Sequence, residues 1–158
     1  MNEMMGRLTR EIGLGDSKNA RLRLAFGHAC VDRITQLDEE GELMNCLHVL
    51  GDYVQGKVDE TTFRQARLDA DHLTNPQRCQ KPIDGCGHAA VSASYTVANA
   101  INGKALQAAS YAAYASVYAS GGVSAVAQRE AFEAEFRWQL HALQELASTA
   151  RVNATVNA

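Results

Sequence analysis

From His88 to Gly122 the chain reads HAAVSASYTVANAINGKALQAASYAAYASVYASGG. Lys104 is the single formal charge between Gly85 and Gln128. Alanine loses no side-chain entropy in a helix and heads the helix-propensity scale. Repeated small residues also let two helix backbones approach closely. A segment so poor in charge is expected at the buried centre of a helical domain, turning back at Asn102-Gly103 and closed by Gly121-Gly122. Asn99, Asn102, Lys104 and Gln107 interrupt it, and nothing approaches the ~20 uninterrupted apolar residues of a membrane span. It reads as an Ala/Ser/Tyr-rich core hairpin.

The helical period is equally legible on either side. Leu22, Ala25, Phe26, Ala29, Cys30, Ile34 and Leu37 recur at i, i+3, i+4, i+7, with Asp16 or Ser17 as the N-cap signal and Gly41 beyond the end. A second helix is expected from Glu42 to Gln55, burying Leu43, Cys46, Leu47, Leu50 and Val54 and ended by Gly56. A third begins at Asp59, with Phe63, Ala66, Ala70 and Leu73 as its stripe. Thr74 to Gly87 holds both prolines, Pro76 and Pro82, and reads as an irregular crossover. The last helix is expected from Val123 to Ala147, presenting Val126, Phe132, Phe136, Leu140 and Leu143. No β-alternation of useful length appears. The expected fold is all-α, one compact bundle of about six helices over residues 1–158, with 1–15 and 148–158 less ordered.

Composition narrows the function classes. A net charge of −3 over 158 residues leaves no basic stripe to follow a nucleic-acid backbone, so direct nucleic-acid binding is not expected. The opening MNEMMGRLTREIG lacks the apolar stretch of a secretory signal. With four cysteines, Cys30, Cys46, Cys79 and Cys86, free thiols in a cytoplasmic protein are expected. Cys30 and Cys46 fall on apolar helix faces, as small hydrophobes.

Catalytic patterns are lacking. No G-x-S-x-G elbow is present, and neither Gly13-Leu14-Gly15 nor Gly85-Cys86-Gly87 follows a strand as a phosphate loop would. Glu133 and Arg137 are spaced i, i+4 as a solvated helix pair. The pairs His28/Cys30 and Cys46/His48 are two residues apart and do not share a helix face. His72, Cys79, Cys86 and His88 surround the proline loop and are all zinc-ligand types, but they lack a CxxC or HxxxH spacing. The expectation is therefore no cofactor and no enzyme. A zinc protein or enzyme using that cluster is the alternative from another class.

Tyr111, Tyr114 and Tyr118 fall at i, i+3, i+7 on the second hairpin helix, a phenolic stripe on a small-residue surface. They serve either as core rings with hydroxyls at the rim or as an interface, because tyrosine is enriched at binding hot spots. Trp138, the only tryptophan, has the same two readings.

Three blocks together resemble an all-helical family, number five, among the immunity proteins of bacterial polymorphic toxin systems. They are Arg21-Leu22-Arg23-Leu24-Ala25-Phe26-Gly27-His28-Ala29-Cys30, then Gly87-His88-Ala89-Ala90 with the hairpin to Ala119, and Phe136-Arg137-Trp138-Gln139-Leu140. Where that family carries a second histidine after the Gly-His-Ala-Ala block, this chain has Tyr95 or Thr96. The resemblance implies stoichiometric binding to a toxin domain, blocking its active site or substrate access, and it marks His88, Arg137 and Trp138. A phage-encoded inhibitor of a bacterial defence system, anti-CRISPR-like or otherwise, has the same signature. A self-associating module, with the hairpin as its oligomer interface, is a further reading.

Overall fold

Helix follows helix along the chain, as the periodicity dictates. The computed structural model describes residues 3–37, 41–74 and 85–156, and no strand occurs among them. The helices are α1 (Glu3–Glu11), α2 (Ala20–Asp32), α3 (Glu42–Val54), α4 (Glu60–Leu73), α5 (Gly85–Ile101), α6 (Ala105–Ala125) and α7 (Glu133–Val156). Short 3-10 turns at Ser17–Asn19, Thr35–Leu37 and Arg129–Phe132 precede α2, follow it and lead into α7. The all-α expectation is met.

The hairpin α5–α6 is the most extensive helix pairing in the molecule. Ala93, Ala100, Ala105, Ala108, Ala112 and Ala115 are buried along it, so its small residues do line the core. Its turn is a helix C-cap. Gly103 has φ +68°, while the Gly103 and Lys104 amides donate back to the Ala100 and Asn99 carbonyls at 3.0 and 2.9 Å. Only glycine takes that left-handed position without a Cβ penalty. No helix of the described residues is long and apolar enough to cross a membrane.

Helix α2 lies at the centre and touches α3, α5, α6 and α7. Phe26 and Cys30 are wholly buried on it, as is Ile34 just beyond its end, and Phe63 of α4, Leu50 of α3, Ile101 of α5 and Leu143 of α7 join them. Cys30 and Cys46 are buried free thiols, as their helix faces required. The Asp59 carboxylate caps α4 by accepting from the Thr62 amide at 2.8 Å.

Four boundaries differ from the sequence reading. Asp16 precedes only the short 3-10 turn and makes no side-chain cap. The α2 N-cap is Asn19, whose side-chain amide instead donates to the Ile12 and Gly13 carbonyls at 3.0 and 2.8 Å. The glycine pair does not end α6 outright. Gly122 is a kink at φ 65°, ψ −164°, and a further helical turn follows to Ala125. Gln128 is extended, so the chain restarts at Arg129 and α7 begins at Glu133 rather than Val123. At its far end α7 runs on to Val156 rather than stopping at Ala147. Ser148 and Thr149 hydroxyls bond back to the Gln144 and Glu145 carbonyls, which occupies these polar groups within the helix after the apolar stripe has run out.

Candidate protein-binding surface

The phenolic stripe of α6 meets rings from three other segments. His88, in the first turns of α5, stacks on Tyr118 with centroids 5.1 Å apart and planes 22° from parallel. Tyr118 leans on Tyr114 at 6.2 Å. Tyr114 presents an edge to Phe132 at 5.1 Å and 75°, and Phe132 stacks on Phe136 of α7 at 5.7 Å. Five rings thus run in sequence from α5 across α6 to α7. Tyr95 and Tyr111 form a separate stacked pair at 5.0 Å on the same two helices.

The stripe resolves the choice between core and rim residue by residue. Tyr118 is half-buried, whereas Tyr111 and Tyr114 keep 37% and 42% of their surface exposed. Beneath Tyr114 lies a small second core of Ala113, Val117 and Phe132, with Val126 and Phe136 packed on it. Beside it opens a concavity of about 290 Å³ lined by Ser110, Tyr114, Val126, Arg129, Phe132 and Phe136 among others. Part-exposed aromatic rings, a shallow pocket of mixed polar and apolar lining and one guanidinium are features that protein contacts commonly use.

The residues marked by the C-terminal block lie elsewhere. Arg137 is exposed, and its Nε reaches only the Glu133 main-chain carbonyl, at 3.5 Å. Trp138 is half-buried against the main core, and the guanidinium of Arg33, at the C-terminal cap of α2, sits 4.4 Å above its ring. The same Arg33 binds Glu135 at 2.6 Å. The Gln139 side-chain amide then donates to the Ala109 carbonyl at 2.7 Å and to Glu135 Oε1 at 3.3 Å. This polar seam ties α7 to α2 and α6, and Trp138 anchors it. Glu135, two residues from the exposed Glu133, is buried with its side chain only 5% exposed. Its neighbour Cys30 is pushed far above the ordinary thiol range by burial, then by the Glu135 charge, against which Arg33 acts. That thiol is a packing group with no nucleophilic character.

Of the candidate zinc cluster, only His72 and His88 have described side chains. His72 is exposed near the end of α4 and His88 is engaged with Tyr118. Cys79 and the Cys86 side chain lie outside the described residues. Among those described, no group of three or more His, Cys, Asp or Glu is arranged to hold a metal.

The helical period put Tyr111, Tyr114 and Tyr118 on one stripe and the resemblance marked His88, whereas Phe132 and Phe136 were assigned to a stripe on one long last helix. Their i, i+4 spacing was the available signal. That Phe132 sits in a turn against Tyr114 depends on the break after α6. Comparison of the chain with protein-family models, with curated proteins and with solved structures finds no match.

Proposed function

We propose that this protein is a stoichiometric inhibitory binding protein, of the kind that neutralises a cognate bacterial toxin, and that it engages its protein target through the α5–α6 aromatic face. With no matching family model, the toxin-inhibitor class rests on the resemblance of the three sequence blocks, and the choice of face rests on the surface. The observation that carries it is the pair of exposed tyrosines on an alanine-packed hairpin, Tyr111 stacked on Tyr95 and Tyr114 within a row of five contacting rings. Tyrosine supplies a large contact area at the expense of few rotatable bonds. The buried hairpin core beneath holds the rings in place before binding, which lowers the entropic penalty of association. An inhibitor of this sort needs no catalytic group.

The test is capture from the native host with the full-length protein, followed by inhibition. The wild type is expected to recover one target near one-to-one and to block its activity at equimolar ratio. A Tyr111→Ser/Tyr114→Ser variant should fold normally yet bind at least ~30-fold more weakly, the loss of one hot-spot residue of about 2 kcal/mol. Inhibition unchanged by the double substitution would remove this surface as the interface.

A further inference from the structure

A second concavity, about 430 Å³, opens at the opposite end of the hairpin, between the α1–α2 loop and the α5–α6 turn. Three cations from separate segments line it: Arg10 of α1, Arg23 of α2 and Lys104 of the hairpin turn. One carboxylate, Asp16, shares the lining and lies 3.8 Å from Lys18. The single charge of the neutral hairpin is thus placed beside two arginines. Neither Arg10 nor Lys104 forms an ion pair among the described residues. Like charges so gathered repel one another unless an anion joins them.

The wall is also built before any ligand arrives. Arg23 Nη1 donates to the Leu14 and Asp16 carbonyls, both at 2.7 Å, which fixes the guanidinium and leaves its other N–H groups free of partners among the described residues. Asn19 ties Ile12 and Gly13 to the start of α2. On the far side, the first-turn residues Ala105, Leu106 and Gln107 of α6 line the cavity. The first amides of α6, as at any helix start, have no acceptor within their own helix, and the Lys104 side chain supplies none. They add donors to a site that the three cations define.

We propose that this cavity binds a small phosphate-bearing polyanion. Arginine matches the geometry of phosphate oxygens with two parallel N–H donors, lysine adds a mobile point charge, and the volume is that of a small-molecule site. The site is distinct from the aromatic face: no residue lines both cavities, and Lys104 lies about 10 Å along α6 from Tyr111 and about 15 Å from Tyr114 at 1.5 Å per residue. Its test is therefore independent of the proposed inhibition.

Inorganic pyrophosphate, titrated into the full-length protein by calorimetry and followed by ³¹P NMR, is the probe, with sodium chloride of matched ionic strength as control. Saturable one-to-one binding is expected, weakened at least tenfold in Arg10→Gln/Lys104→Gln. Both side chains are exposed, so that variant should unfold with the wild type. Tyr114→Ser should bind pyrophosphate as the wild type does. Heat and shifts matching the chloride control, or undiminished affinity in the double variant, would overturn the proposal.

Discussion

Gly27 sits in the middle of α2, where helix propensity and packing make opposite demands. Alanine there would favour the helix by about 1 kcal/mol over glycine. A Cβ at this position, however, would stand 3.0 Å from both Cα and Cβ of Ala100 in α5 and 3.4 Å from the Ala100 carbonyl oxygen. Ordinary carbon–carbon contacts begin near 3.5 Å. The obstructing atoms belong to a helix backbone in the best-packed part of the molecule, so no side chain can rotate away. Overpacking of this sort costs about 1–3 kcal/mol. The clash should prevail, leaving Gly27→Ala net destabilised by about 1 kcal/mol and lowering Tm by roughly 2–4 °C. Urea unfolding at constant m-value measures it. Ala100→Gly in the same background removes one of the two close carbons, so a double-mutant cycle should show favourable coupling between the two substitutions. A Gly27→Ala protein as stable as the wild type, or more so, would mean that α2 and α5 are not held at this separation, and the reasoning would fail.

Two further outcomes test the interior. His28 lies between α2 and α3, where a Cβ on Gly51 would meet its Nε2 at 2.7 Å. Burial lowers its pKa below the ordinary 6.5, Asp32 opposes this, and His48 adds to the lowering. The unfolded chain therefore takes up this proton first as pH falls. Its contribution should be constant above about pH 7 and drain away below 6.5, and His28→Gln should flatten the wild-type slope of Tm between pH 7 and 5. Identical slopes would exclude His28 as the cause. In the polar seam, Glu135→Ala strands a buried amide and a guanidinium that is partly able to turn to water, and should lose about 2 kcal/mol. Trp138→Ala should lose about as much, as a half-buried ring, while Arg137→Ala should stay within about 0.5 kcal/mol. Equal effects at positions 137 and 138, read by thermal unfolding, would contradict their placement.

How far the sequence could be read varies with the range over which each feature is determined. The α3 and α4 spans and the Asn102-Gly103 turn were legible because each is written within a few residues, as stripe, cap or glycine. The α6–α7 junction was not. Gly121-Gly122 signals a break in any helix, yet whether the chain restarts at once or after a turn depends on what Phe132 packs against. Nothing local marks Glu135 for burial, since the nearby Glu130 and Glu133 are exposed, while its partner, Arg33, lies 102 residues away.

By itself, then, the amino-acid order determined the helical class, the small-residue hairpin, the burial of Cys30 and Cys46 and the phenolic stripe of α6. All follow from side-chain entropy and from periods of three and four residues, which are properties of one helix alone. Tertiary structure decided the rotation of each helix about its axis and the contacts between helices. That choice turned Tyr111 and Tyr114 outward, set Phe132 and Phe136 beside Tyr114, buried Glu135 under Arg33 and gathered Arg10, Arg23 and Lys104 around one cavity. No local pattern encodes these meetings, because each depends on the fit of several helices at once.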